Sequence, residues 1–275
     1  MSGAVRVRDE PRAEAVGPLK LLYRYRHILY ATTLVDIRSR YIGTVFGLAW
    51  AVAYPFFFLG LYAVVYGIIL NVRLERYTSF EYVLIMFAGL IPFIGFSEAL
   101  SSSVSSVSTN KQLIKNTLFP IELVPVKAVL ASSLSMLVGL GGLLLTLWVS
   151  DAFRATQLLI IPLIFLQLAF SIGVGWLLSA LNVIFRDIAQ AIGIFVLFLM
   201  IASPIGYTAD MIPRRLLPLV WINPLYYLIE LYRQVLIYGE LSAAYWIVLA
   251  VLATAAFTLG YGVFRRLKPI FAEYV

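Results

Sequence analysis

The sequence contains no cysteine, which removes disulfides and thiolate metal sites and is compatible with either face of a bacterial envelope. It contains one histidine, His27, so metal centres built on several imidazoles and histidine-dependent triads are excluded. Of its five lysines, Lys20, Lys111, Lys115, Lys127 and Lys268, none follows a glycine. A Gly-Lys-Ser/Thr phosphate loop is therefore absent, and the chain does not bind ATP in that way. Charged residues make up only 13% of the chain, and Asp and Glu cluster nowhere within its apolar stretches. A paired-carboxylate site has no support, and no catalytic residue, metal ligand or bound cofactor emerges.

What is abundant is apolar surface. At 275 residues and 62% hydrophobic, the chain is too apolar for a soluble domain of that size and reads as an all-α integral membrane protein. Residues 1–18 are polar, contain Pro11 and Pro18, and read as a loose tail. Over 19–41, Leu21, Leu22, Tyr25, Ile28 and Leu29 share one helical face, with Lys20, Arg24 and His27 opposite, the pattern of an interfacial amphipathic helix. The long apolar run that follows argues against a signal peptide. A bilayer crossing needs roughly 20 apolar residues. By that measure residues 42–275 form a transmembrane domain of six spans, near 45–70, 82–108, 128–149, 156–184, 188–206 and 242–264. A shorter apolar piece between Arg215 and Glu230 is split by Asn223-Pro224 and should dip in and return, within a segment of about 208–238.

Of the 21 Lys and Arg residues, 15 fall in the tail and interfacial helix, the loop after the second span, the loop at Arg186 and the C-terminus. That set is cytoplasmic by the positive-inside rule, so both termini are inside and 208–240 is outside. The same distribution accounts for most of the +7 charge as topology signal and attraction to anionic lipid, which argues against nucleic-acid binding.

Three features carry functional weight. Asn110 to Pro125, NKQLIKNTLFPIELVP, is a long polar elbow between two spans. Lys111 and Lys115 lie one helical step apart, Leu113, Ile114 and Leu118 give an apolar side, and Phe119-Pro120 ends the turn. Such a helix is either a grip for a soluble partner or a simple connector. Glu98 is the one ionisable side chain inside a span, and it heads a polar stripe with Ser101, Ser105 and Ser108. The stripe lines a wet conduit, or its serines permit close helix packing around a neutral or hydrogen-bonded Glu98. Tyr54, Phe58, Tyr62 and Tyr66 recur every four residues through bilayer depth, where an interfacial aromatic belt would not continue. Their ring faces suit a sliding surface for sugar rings.

Several stretches together resemble the membrane subunit of ABC type-2 polysaccharide exporters, which include O-antigen and teichoic acid export permeases. They are DIRSRYIGTVFGLAW at Asp36 to Trp50 with Tyr54-Pro55 following, GLIPF at Gly89 to Phe93, and NKQLIKNTLFPIELVP in the elbow. LNVIFRDI at Leu181 to Ile188, SPIGY at Ser203 to Tyr207, and INPLYYLIELYRQVLIYG at Ile222 to Gly239 complete the set.

That resemblance implies a homodimeric, non-catalytic permease in a bacterial inner membrane, driven by two copies of a separate ATP-binding subunit that use ATP and Mg. It implies a coupling helix over 110–120 and a second cytoplasmic contact at Arg186 and Asp187. It further implies re-entrant helices closing the outer mouth, with Tyr207, Trp221, Asn223, Pro224, Tyr226, Tyr227 and Arg233 as gate residues. The expected cargo is a lipid-linked polysaccharide on undecaprenyl pyrophosphate, with Arg38 and Arg40 meeting its phosphates or serving as positive-inside anchors. Two alternatives are a type-2 permease for a drug or other lipid and a proton-coupled secondary transporter using Glu98.

Overall fold

The computed structural model describes residues 17–41, 49–69, 78–110, 120–208, 211, 213 and 215–271. Among them the regular structure is helical throughout. Two helices, α1 (Pro18–Arg24) and α2 (Arg26–Tyr41), are followed by α3 (Ala49–Tyr62), which continues as a π-helical turn over Ala63–Ile69. Helix α4 (Ser79–Val104) leads through the one-turn α5 (Ser106–Thr109) towards the elbow. Helix α6 (Leu123–Val149), a 3-10 turn at Ala155–Leu159, α7 (Ile160–Ile184) and α8 (Asp187–Ala202) come next. The short α9 (Leu217–Ile222) and α10 (Pro224–Arg233), extended by a π turn over Gln234–Tyr238, precede α11 (Ala243–Leu267).

Among the described residues four helical stretches are long and apolar enough to cross a bilayer: Ser79–Val104, Leu123–Val149, Ala155–Ile184 and Ala243–Ile270. They overlap the expected second, third, fourth and sixth spans. The expected fifth span differs. Helix α8 has 16 residues, about 24 Å at 1.5 Å per residue, against a hydrocarbon thickness of about 30 Å, and the chain bends from Ser203. The described part of the expected first span is 14 α-helical residues followed by 7 in a π turn.

Local chemistry sets the boundaries. Thr78 caps α4: its hydroxyl accepts from the Glu81 amide at 3.3 Å, and the Glu81 carboxylate accepts from the Thr78 amide at 2.8 Å. Asn223 caps α10, accepting from the Leu225 amide at 3.0 Å, while Pro224 supplies the pre-set first helical residue. Gly239, with φ +72°, ends the π turn in the left-handed conformation that glycine adopts at little steric cost.

Helix α4 sits at the centre, its residues buried among α6, α7 and α10. Gln167 of α7 ties two of these neighbours together: its amide donates to the Pro92 carbonyl of α4 at 2.8 Å and its oxygen accepts from the Tyr232 hydroxyl of α10 at 2.7 Å. Helices α7 and α11 touch backbone to backbone. A Cβ at Gly260 would land on the Gly173 carbonyl, and one at Gly173 on the backbone of Ala256. In lipid, where apolar side chains gain little by leaving the solvent, such small-residue contacts are what hold helices together.

Gly260→Val is therefore expected to lower stability by about 1–3 kcal/mol, the usual cost of overpacking, or to prevent assembly of the bundle. Gly141→Ala, where nothing lies within 4 Å of the added methyl, is expected to melt like the parent. Thermal unfolding in detergent distinguishes the two.

Candidate functional site: a polar membrane face between two anchored ends

Helices α4, α6, α7, α8 and α11 alternate in direction, so the molecule has an elbow end, where α4 finishes and α6 begins, and a far end where α4 begins. Between them the polar stripe on α4 is only partly covered. Ser101 is exposed and Glu98 and Ser105 are half-buried, although most of α4 is enclosed. Serines packed for close approach would be covered by a neighbouring helix; among the described residues Ser101 is not, whereas Glu98 is hydrogen-bonded to Ser135 of α6. Ser108 is turned inward and accepts from the Asn182 amide at 3.3 Å.

Helix α2 packs on α6 beside this face. Arg40 donates to the Ser102 hydroxyl at 2.7 Å and reaches the Ala128 carbonyl at 3.5 Å, which puts its charge near Glu98. Asp36 pairs with Lys127 of α6 at 3.0 Å. Arg38 and Arg40 are both exposed. The result is a basic, hydroxyl-rich edge running from α2 to Glu98. Leu21 of α1 is buried in the adjacent apolar cluster, with Leu22, Tyr25 and Leu29 packed on it, while Ile28 is exposed beside Lys20, Arg24 and His27.

At the elbow end, Lys111, Leu113, Ile114, Lys115, Leu118 and Phe119 lie outside the described residues, but both flanks of the elbow are tied down. Asn110 donates to the Ser106 carbonyl at 2.8 Å. Beyond Pro120, Glu122 pairs with Lys268 at 2.7 Å, and its carbonyl accepts from the Trp176 indole at 2.8 Å. Asn182 brings in the second loop: it bonds Ser108 next to the elbow and accepts from the Ala189 amide, at 3.0 Å, in the first turn after Arg186 and Asp187. Asn110, Arg186 and Asp187 are thus at the same end, both loops held by one asparagine.

At the far end the expected gate residues play different parts. Arg233 is not presented at a mouth; it is completely buried. Its guanidinium donates to the carbonyls of Ile85 at 3.2 Å, Ile205 at 3.0 Å and Tyr207 at 3.1 Å, and to the Glu230 carboxylate at 2.8 Å. It clasps α10 to α4 and to the bend after α8. Tyr82 adds a bond to the Gly206 carbonyl at 2.9 Å. Tyr226 is buried against Tyr245, their hydroxyls 3.1 Å apart. Asn223 donates to Ser203 at 2.9 Å, so the α9–α10 corner is pinned to the end of α8. Tyr227 donates to the Trp221 carbonyl at 3.0 Å, and Trp221 itself is exposed. Burial raises the Tyr207 phenol above its ordinary value, partly opposed by Arg233.

The backbones of Tyr54, Phe58 and Tyr62 are in α3 and that of Tyr66 in the π turn, but their side chains lie outside the described residues. Sequence reading missed the Asp36–Lys127 and Glu122–Lys268 pairs and Asn182. The available signal was a lone Lys127 at the start of an apolar run and a lone Glu122 just before it. Their partners are 91 and 146 residues away, which no local pattern reveals.

Residues 29–237 match the model of the ABC-2 type transporter family. The chain is also similar to an O-antigen export system permease protein of Klebsiella pneumoniae, 29% identical over 260 residues, covering 93% of this chain and 98% of that protein. An O-antigen export system permease protein of Myxococcus xanthus is 24% identical over 259 residues, 92% of this chain and 97% of that protein. A polysialic acid transport protein of Escherichia coli is 24% identical over 214 residues, 77% of this chain and 82% of that protein.

The Arg233 clasp makes a sharp prediction. Arg233→Met leaves Glu230 buried without its cation and frees three carbonyls, so a loss of about 3–5 kcal/mol is expected in detergent unfolding. Adding Glu230→Gln to it is expected to recover part of that loss.

Proposed function

The chain belongs to the ABC-2 type transporter family, and from that premise we propose that it is the membrane subunit of an ATP-driven polysaccharide exporter. The observation that carries the reading is the family match together with near full-length similarity to O-antigen export permeases. The partly exposed polar stripe on α4 supports it: an exposed Ser101 beside half-buried Glu98 and Ser105 suits a face met by water, substrate or another chain. In this proposal two copies of the chain face each other across that stripe, since one set of helices does not enclose a polymer-wide path. Tyr54, Phe58, Tyr62 and Tyr66 contribute ring faces to the conduit.

The chain supplies the path and no catalysis. Two ATP-binding subunits, with ATP and Mg, dock at the elbow end, on residues 110–120 and on the turn at Arg186 and Asp187. Rigid flanks suit such a contact, because force applied to a segment anchored by Asn110 and the Glu122–Lys268 pair reaches α4, α6 and α11 directly. The cargo is a lipid-linked glycan carried on undecaprenyl pyrophosphate. Arg38 and Arg40, both exposed on α2, meet the pyrophosphate, with Ser102 holding Arg40 in place. The elbow end then faces the cytoplasm, with both termini, and the α9–α10 corner closes the path on the other side of the inner membrane.

In liposomes holding this chain and its ATP-binding subunit, glycan-stimulated ATP hydrolysis is expected to fall to the basal rate on replacing Leu113 and Ile114 by Asp. ATP hydrolysis by the purified chain alone would overturn the proposal. Glu98→Gln is expected to leave export indifferent to a proton gradient; loss of gradient-driven transport would favour a secondary transporter instead.

A further inference from the structure

The elbow joins the bundle at Glu122, and that carboxylate is enclosed, its side chain keeping 7% of its accessible surface. One oxygen accepts from the Lys268 ammonium at 2.7 Å; the other is buried with no hydrogen-bond partner among the described residues. The buried charge therefore rests on a single cation, 146 residues away in sequence and just past the end of α11. Lys268 is not on a loose end. Pro269 follows it, and Phe271, fully buried, lies edge-on to Phe264 of α11 with ring centroids 5.2 Å apart. The ammonium is thus fixed to α11, and through it α11 is fixed to the elbow.

Helix α11 reaches the other end without a break. Its 25 residues hold no proline and span about 38 Å at 1.5 Å per residue. In its first turn Tyr245 is edge-on to Tyr226 and Tyr227 of α10, with centroids 5.8 and 5.6 Å apart, and the hydroxyls of Tyr226 and Tyr245 are 3.1 Å from each other. The Ser242 amide, at the start of the helix, donates to the Gln234 side chain of the π turn at 3.1 Å. Sideways the helix is held on α7, where Gly173 meets Gly260 and Trp176 packs on Phe257 and Tyr261 at 5.0 and 5.2 Å. The same Trp176 donates to the Glu122 carbonyl. Helix α4 also runs between the ends, but it holds Pro92 and breaks at Ser105 before the elbow. Helix α6 begins at the elbow directly, so movement there is shared between α6 and, through Lys268, α11.

We propose that α11 is a strut that carries movement of the elbow to the α9–α10 corner, and that Lys268 is the positioning residue that joins the strut to the elbow. A rod passes displacement on only if neither joint is slack. At the far joint the tyrosine contacts and the Gln234 bond hold the helix start to α10 and its π turn. At the near joint an ion pair out of water binds more tightly than the same pair on a surface, because parting it leaves a buried carboxylate unpaired. The second oxygen of Glu122 gives that joint its play: the ammonium carries three N–H groups, so the elbow root turns about the pair without losing it. The inference rests on the export reading, to which it adds how the driven end reaches the gated end.

The test places the full chain and its ATP-binding subunit in liposomes and exploits the missing cysteines: Ile222→Cys, at an exposed position of α9, puts a single thiol on the corner. In that background ATP is expected to change the rate at which a maleimide labels the thiol. Lys268→Ala leaves a buried charge, so the deciding variant is Lys268→Ala with Glu122→Gln, which removes both charges and is expected to melt close to the parent. In it the ATP-dependent change in labelling and the glycan exported per ATP are each expected to fall about fivefold or more, the lower end of coupling between distant sites, while ATP hydrolysis continues. Lys268→Arg, which keeps the cation, is expected to behave as the parent, and so is Arg266→Gln, an exposed cation two residues earlier. Labelling and export equal to the parent's in the double variant would mean that α6 alone carries the movement, and would overturn the strut. Coupling that falls only in proportion to melting temperature across the Lys268 variants would mark a purely structural bond and overturn it too, as would a parent that exports glycan with no ATP-dependent change at the thiol. These results leave the exporter standing; that reading fails separately, if the parent complex shows no ATP-driven export.

Discussion

A guanidinium with no water around it must have its charge and its N–H groups satisfied by protein, and Arg233 is completely buried. Its partners are a carboxylate one turn away and three main-chain carbonyls, one from the first turns of α4 and two from the bend after α8. That requirement fixes the relative position of three pieces of chain that are far apart in sequence. The far end is thus organised by a buried charge, where a soluble protein of this size would use an apolar core.

Elsewhere the bundle is held by means suited to lipid. Gly173 and Gly260 let α7 and α11 approach main chain to main chain, and Gln167 stitches α4, α7 and α10 through two hydrogen bonds. Against this background the exposed edge of α4 stands out. Ser101 is exposed there and Glu98 and Ser105 are half-buried, while the other faces of α4 are enclosed. Anchored loops at one end, a partly polar edge between and a clasped corner at the other follow one another along the molecule.

Much of the candidate site was readable as residue types and not as arrangement. The stripe from Glu98 to Ser105 is visible in the sequence because helical periodicity places those residues on one face; that the face is only partly covered is not, since the covering helices come from distant segments. Arg233 read as a gate residue because the stretch that holds it resembles the family's outer re-entrant helices. Its burial depends on carbonyls 26, 28 and 148 residues away, so no window of sequence contains the reason. The short α8 was overestimated for a local cause: the apolar run continues to Ile205, but Pro204 takes the chain out of helical geometry before the run ends.

By itself, the sequence determined that this is a helical membrane protein, where helices long and apolar enough to cross a bilayer lie, and which family it joins. Hydrophobic run length and local punctuation carry that information, and both are properties of consecutive residues. Tertiary structure decided which charges are satisfied and by what. It paired Lys127 with Asp36 and Glu122 with Lys268, and enclosed Arg233 in carbonyls. The physical reason is that a buried charge takes its partners wherever the fold brings oxygen atoms within about 3 Å, and that distance in space is independent of distance along the chain.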